Sequence, residues 1–205
     1  MIEEAASRRA AVVRRITGVC GIISQLVGIT ALVVVIFNAP WFSWTKDHMS
    51  ALGVEGSAKM IYNGGLILVG IFSLIFVIGL GRCLLSGWLG QSAMVFFILG
   101  SAAVFTMGAF PRTFDFAHGA STVAFYVCII VALILAGAAA ITASQIIWGL
   151  LSITAAVFVA ALLLIPGPLA GGAISQLLAY LPWSLWTIAI GVMLLVNPSS
   201  LGYSK

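Results

Sequence analysis

Six long stretches of mainly apolar residues constrain this sequence more than any other feature. They lie at about 16–37, 61–81, 91–109, 119–141, 145–165 and 174–196. Each has close to the roughly 20 residues that an α-helix needs to cross the hydrocarbon core of a bilayer. Only 7% of the residues are charged, against about 25% in a typical soluble domain. The sequence therefore predicts an all-α, polytopic membrane protein that folds as a six-transmembrane-helix bundle.

The same pattern leaves no room for a separate soluble domain. We predict a basic N-terminal tail at 1–15, a transmembrane domain at 16–197 and a short C-terminal tail at 198–205. A membrane β-barrel is excluded, because its strands have roughly ten residues that alternate between apolar and polar, and these stretches are longer and do not alternate.

The basic residues predict how the helices are oriented in the membrane. Four arginines precede the first apolar stretch, and the positive-inside rule places such a cluster in the cytoplasm. Six crossings then return the C-terminus to the cytoplasm. Six basic residues lie inside in this topology (Arg8, Arg9, Arg14, Arg15, Arg82 and Lys205) and three lie outside (Lys46, Lys59 and Arg112). Topology, rather than nucleic-acid binding, explains the net charge of +4. The expected location is the cell (plasma) membrane, with membrane lipids as partners.

Both histidines of the chain lie in two polar segments, 43–53 and 111–118, which this topology places on the outer face. The candidate catalytic residues from these segments are Asp47, His48, Ser50, Asp115 and His118. The candidate ligand-binding residues at the same face are Trp44, Asn63 and Arg112. We expect the two segments to converge at the outer surface of the membrane.

Three chemistries could use these side chains. In a hydrolase or transferase, a histidine would act as general base, an aspartate would orient it, and Ser50 or water would be the nucleophile. Histidine and aspartate ligands would also suit zinc, although the sequence has no His-x-x-x-His motif. Haem ligation by two histidines would need His48 and His118 to face each other across the bundle. No metal site and no cofactor is predicted.

A purely structural role is the alternative for the same residues. The two segments could form a hydrogen-bonded lid that ties together the outer ends of helices 2 and 4, with Asp115 as a cap of helix 4. Asn63 would then make a structural hydrogen bond. Gln25 and Gln176 are expected to face the bundle interior, because an unpaired amide in hydrocarbon costs roughly several kcal/mol.

Aromatic residues and prolines predict where the helices end. Trp41, Trp44 and Tyr62 fit an aromatic belt at the outer membrane interface. Pro40, Pro111 and Pro166 each follow an outward-going helix and cannot comfortably continue it. Pro182 lies inside the sixth helix instead, where we expect a kink.

Short motifs in the first two thirds of the chain carry a resemblance to a known family. They are Ser-Ala-Leu-Gly at 50–53, Asn-Gly at 63–64, and Gly-Ala-Phe-Pro at 108–111 followed by His118. With these motifs, residues 20–130 resemble a family of six-helix prokaryotic, largely archaeal, membrane proteins of unknown function. The resemblance implies the six-helix fold and no activity. The family often has Ser-Asp-Leu-Gly at the first motif, so Ala51 replaces an acidic residue here, and Asp47 would have to substitute for it.

These features predict a membrane protein that binds a lipid headgroup or a small polar ligand at an extracytoplasmic site between helices 2 and 4. One alternative is a hydrolase or transferase at the membrane interface that acts on lipid by His/Asp acid–base catalysis. Another is a structural subunit of a membrane complex.

Overall fold

The chain folds into six long α-helices and one short 3-10 helix. The computed structural model describes residues 1–56, 58–164 and 172–196. The long helices are α1 (Ile2–Phe37), α2 (Lys59–Cys83), α3 (Gly87–Ala109), α4 (Asp115–Thr142), α5 (Ile146–Leu164) and α6 (Ala173–Val196). The 3-10 helix covers Met49–Gly53. Within the described ranges there is no β-strand, and all six long helices are long and apolar enough to cross a membrane. The predicted fold class is confirmed.

The first helix is longer than its predicted membrane span, because the basic segment 1–15 is helical. α1 has 36 residues and is therefore about 54 Å long at roughly 1.5 Å per residue, against a hydrocarbon core of about 30 Å. Alanine, glutamate and arginine in this segment are strong helix formers. Arg8 also forms an ion pair with Glu4 at 2.9 Å, one helical turn away.

The helices form a closed ring in which each packs on its neighbours in sequence and α6 packs on α1. Successive helices alternate in direction, so the segments 38–58 and 110–114 lie at the same end of the bundle as the start of α6. We call this end the loop end. As expected, α1 and α3 stop before Pro40 and Pro111, whereas α6 continues through Pro182 as one helix. The turn containing Pro166 and the tail 198–205 lie outside the described residues.

Four aromatic side chains fill the middle of the bundle and bring α6 against α2 and α3. The rings of Trp183 and Trp186 stack with centroids 5.7 Å apart. Phe97 lies 5.2 Å from Trp183 and 5.3 Å from Trp186, and Phe76 meets Trp186 edge-on. Such pairs each contribute about 0.5–1.5 kcal/mol beyond the area they bury. This aromatic cluster separates the loop end from the opposite half of the bundle.

The backbones of α1 and α6 touch in the half of the bundle away from the loop end. A Cβ atom at Gly18 would lie 2.7 Å from the carbonyl oxygen of Gly191, and one at Gly191 would lie 2.9 Å from that of Gly18. Close packing of small residues is a main source of helix association in lipid. Nearer the loop end, the Tyr180 hydroxyl donates to Gln25 Oε1 at 2.5 Å. Gln25 is fully buried, as predicted for an amide inside a membrane bundle.

Candidate functional site

A cavity of about 140 Å³ lies inside the loop end of the bundle. Residues of α1, α2, α3, α4 and α6 form its wall, and Met49 and Ser50 of the 3-10 helix form its roof. Its polar lining residues are Ser50, Tyr62, His118, Thr122, Gln176, Tyr126, Tyr180 and Ser184. The other described lining residues are apolar, and none is an aspartate, glutamate, lysine or arginine. A concave, mainly apolar space with a few polar groups is typical of a small-molecule site.

His118 is the lining residue whose side chain is best placed to bind a ligand. Its side chain is 8% exposed, and its Nδ1 atom lies 3.0 Å from the carbonyl oxygen of Phe110. A carbonyl oxygen can only accept, so Nδ1 carries the proton in this bond. In the neutral ring, Nε2 is then a hydrogen-bond acceptor. No group in the described part of the chain donates to Nε2.

The connection between α3 and α4 explains why His118 meets this carbonyl. Phe110 is the C-cap residue that follows α3, and the carbonyls at the end of a helix have no partner within it. A tight turn follows, in which the Phe114 amide donates to the Pro111 carbonyl at 2.8 Å. The turn starts α4 at once and places His118 in its first turns, beside the end of α3.

The roof of the cavity is held on α6 by hydrogen bonds from the segment 43–53. The Met49 amide donates to Gln176 Oε1 at 2.7 Å. The Ala173 amide at the start of α6 donates to the Asp47 carbonyl at 2.8 Å. The first amides of a helix lack partners within it, so the loop caps α6 with its own backbone.

A second attachment holds the roof on α2. Asn63 Nδ2 donates to the Gly53 carbonyl at 2.9 Å, and Leu52 is fully buried beside Val35 and Ala58. The structural alternative was a hydrogen-bonded lid that ties helices 2 and 4 together. The hydrogen bonds found here instead tie the first loop to α2 and α6.

The structure brings two of the five candidate catalytic residues to the cavity. Ser50 and His118 both line it. His48 directly precedes the 3-10 helix, is half-buried and does not line the cavity. Among residues 1–56, 58–164 and 172–196, no group of three or more His, Cys, Asp or Glu side chains could hold a metal ion.

Neither candidate aspartate makes the contact that was considered for it. Asp47 Oδ2 accepts a hydrogen bond from the Ser43 amide at 2.8 Å. Asp115 is exposed and is the first residue of α4, whose cap residue is Phe114, and it makes no capping hydrogen bond. The capping role that the structural alternative gave Asp115 is therefore wrong, because the helix begins one residue earlier than a cap at Asp115 requires. The His118 ring is oriented by a backbone carbonyl and not by a carboxylate.

The three candidate ligand-binding residues lie around the cavity rather than in its wall. Asn63 holds the roof, as described above. Trp44 is half-buried, packs edge-on against Phe42 with ring centroids 5.5 Å apart, and accepts a hydrogen bond from the Ile174 amide through its carbonyl at 3.3 Å. Arg112 is exposed, and the described residues give it no ion pair.

Sequence reasoning missed four polar lining residues, which are Thr122, Tyr126, Tyr180 and Ser184. Their spacing from His118 and Gln176 is the signal that could have found them. In α4, His118, Thr122 and Tyr126 follow one another at intervals of four, which places them on one helix face. In α6, Gln176, Tyr180 and Ser184 repeat the same spacing. Tyr62 was expected in the aromatic belt but lines the cavity instead.

Comparison with known proteins gives one finding. The profile of a family described as "Protein of unknown function (DUF998)" matches residues 5–193. The matched range includes every residue that lines the cavity. No curated protein and no solved structure matches the chain.

Proposed function

We propose that this chain, which belongs to the DUF998 family of proteins of unknown function, binds a small amphiphilic ligand in the cavity at the loop end. A hydroxyl group of the ligand would donate a hydrogen bond to Nε2 of His118. The observation that carries the proposal is the state of this ring: it is buried, held in place by the Phe110 carbonyl, and left with an unused acceptor on a cavity wall. The site expected between helices 2 and 4 thereby extends to α1, α3 and α6.

The lining favours a ligand whose buried polar group is uncharged. Moving a charged group out of water is far more costly than moving a hydroxyl, unless an opposite charge meets it. The described lining offers no carboxylate, ammonium or guanidinium group for this purpose. The lining also includes Tyr62, whose phenol would donate to the same ligand hydroxyl that donates to the imidazole.

We place the loop end on the extracytoplasmic side of the cell membrane. The arginines at 8, 9, 14 and 15 lie near the start of α1, at the opposite end of the bundle. The positive-inside rule assigns that end to the cytoplasm. The ligand site would then face the outer leaflet.

Photolabelling with an alcohol of about the size of the cavity tests the proposal. A cavity of about 150 Å³ accommodates benzene in an engineered protein, so the probe is a benzyl alcohol that carries a photoactivatable diazirine. The protein is reconstituted in vesicles, labelled over a range of probe concentrations and digested for mass spectrometry. We expect saturable labelling of peptides from the cavity wall.

The variant His118→Asn isolates the proposed contact. Its amide nitrogen can take the place of Nδ1 and keep the bond to Phe110, but it leaves no acceptor where Nε2 was. One uncharged hydrogen bond contributes about 1 kcal/mol, so half-saturation should need about five-fold more probe.

The matched control is His48→Asn, because His48 lies at the same end of the bundle and does not line the cavity. This variant should be labelled like the wild type. Absence of saturable labelling in the wild type, or equal labelling of wild type and His118→Asn, would contradict the proposal.

A lipid hydrolase is the second candidate, because Ser50 and His118 line the same cavity. In this reaction Nε2 would take the proton of the Ser50 hydroxyl as that oxygen attacks an ester carbonyl. The ester C–O bond would then break, the departing alcohol would receive the proton from the imidazolium, and water would later hydrolyse the acyl group from Ser50. A long-chain fluorophosphonate should then modify Ser50, and His118→Asn should slow the modification. If the wild type forms no adduct at Ser50, the hydrolase proposal fails while the binding proposal stands.

A further inference from the structure

We infer that the ligand is a membrane-dissolved lipid alcohol that reaches the cavity sideways from the bilayer, through an opening between α1 and α6. Its hydroxyl end would lie beside His118, and its hydrocarbon chain would remain in the opening. This inference rests on the proposed function and adds the class of ligand and its route.

Two residues mark the opening. Ile29 of α1 and Leu181 of α6 both line the cavity. They are also 43% and 38% exposed, on the outer surface of helices that cross the membrane. A side chain that borders an internal cavity and also lies on the outer surface is the only layer of the wall at that point, so its movement opens the cavity to the bilayer. Ile29 and Leu181 are therefore the two lips of the opening, and lipid surrounds them.

The packing of α1 on α6 explains why the wall is only one side chain thick at this level. The helices touch at Gly18 and Gly191, away from the loop end. The bond from Tyr180 to Gln25 joins them below the cavity. Above this bond, α1 contributes Gly28 and Ala31 to the cavity wall. Gly28 lies against Tyr180, and Ala31 lies against Gly65 of α2, so the side chain that borders the cavity on the outer side of α1 is Ile29.

The cavity is closed on the side that faces water, in contrast to the side that faces the bilayer. Met49 and Ser50 cover the cavity at the loop end, and the segment that carries them is bonded to both α2 and α6. A ligand arriving from water would have to break these bonds. A ligand arriving from the bilayer meets the two apolar lips instead.

The size of the cavity points to the same ligand class. A space of about 140 Å³ is close to that of a cavity that holds one benzene molecule. It can hold a hydroxyl group and a hydrocarbon group of about the size of a benzene ring, and not a whole lipid. The rest of a long-chain alcohol must leave the cavity, and the apolar lips offer a path into the surrounding hydrocarbon.

The test compares two probes on the wild type and on a variant in which the opening is narrowed. One probe is the diazirine-bearing benzyl alcohol, which has no long chain to leave in the opening. The other is a long-chain alcohol with the diazirine near its hydroxyl end, dissolved in the vesicle membrane. In the double variant Ile29→Trp/Leu181→Trp, larger side chains occupy the lips. Labelling follows an incubation long enough for local opening of the roof to admit a small molecule. We expect the long-chain alcohol to lose its labelling of the cavity wall and the benzyl alcohol to keep it.

The control is the double variant Val33→Trp/Leu185→Trp, in which each change lies one helical turn from a lip. Val33 and Leu185 are exposed and line no part of the cavity, so both probes should label this variant like the wild type.

Every other labelling result contradicts either the sideways route, the lipid ligand or the proposed function. Equal labelling of the wild type and the lip variant by the long-chain alcohol would overturn the sideways route. Loss of both probes from the lip variant would show that the lips belong to the cavity interior, which also overturns it. A wild type labelled by the benzyl alcohol alone would refute the lipid ligand and leave the proposed function standing. A wild type labelled by neither probe would refute the proposed function itself.

Discussion

The Nδ1 atom of His118 lies 3.0 Å from the carbonyl oxygen of Phe110, so the end of α3 orients the imidazole in α4. This contact commits one ring nitrogen to the fold and leaves the other for a ligand. A histidine oriented by a carboxylate gains support for a positive charge during catalysis. A backbone carbonyl carries no net charge and gives weaker support, which favours a binding role for this ring.

The first prediction separates the structural and the binding roles of His118. His118→Leu removes the donor to Phe110 and should lower the free energy of unfolding by about 1–3 kcal/mol. His118→Asn keeps a donor at the same position and should lose less. Thermal unfolding of the two variants in the same detergent measures the difference, and equal losses would contradict the assigned hydrogen bond.

The second prediction concerns the attachment of the roof to α2. In Gly53→Ala, the new Cβ atom would lie 2.5 Å from Asn63 Oδ1, so the loop or the amide must shift. Overpacking of this kind costs about 1–3 kcal/mol of stability. Gly64→Ala is the control, because nothing lies within 4 Å of its Cβ position and alanine favours a helix over glycine. Comparable destabilisation of both variants would contradict the close contact between Gly53 and Asn63.

The third prediction concerns the attachment of the roof to α6. Gln176→Leu removes the acceptor of the Met49 amide and should speed amide hydrogen exchange across 43–53, because local opening becomes easier. The control is Gln91→Leu, since Gln91 bonds to the Leu85 carbonyl at the opposite end. Unchanged exchange at 43–53 in Gln176→Leu would show that the bond does not hold the roof.

The fourth prediction tests the orientation in the membrane. Cys20, Cys83 and Cys128 are free and are first replaced by alanine. A membrane-impermeant maleimide added to intact cells should then label Thr45→Cys at the loop end, and it should label Ala5→Cys only after the cells are opened. The reverse pattern would place the loop end in the cytoplasm.

The sequence was sufficient to predict the helices but not the cavity. The third apolar stretch was expected to end at 109, and α3 ends at Ala109, because a membrane span is defined by length and hydropathy alone. Hydropathy does not show which side of a span faces inward when lipid covers the outside. Phe97 is fully buried and Leu99, two residues later, is 50% exposed, yet both are apolar.

The two histidines show a second limit of the sequence pattern. His48 and His118 lie in polar segments of similar composition, but only His118 lines the cavity. The difference arises because His118 is inside a helix, where spacing fixes its direction. His48 lies in a loop whose path depends on contacts with α2 and α6, which are distant in sequence.

The most direct measurement of the central claim is nitrogen NMR of the histidine side chains, because the chain contains only two histidines. In protein with ¹⁵N-labelled histidine, His118→Asn assigns the His118 signals. For neutral His118 we predict a protonated Nδ1 and an unprotonated Nε2, and the Nε2 signal should move as the long-chain alcohol saturates the protein while the His48 signals stay in place. A neutral ring with its proton on Nε2, or an Nε2 signal unchanged at saturation, would contradict the account.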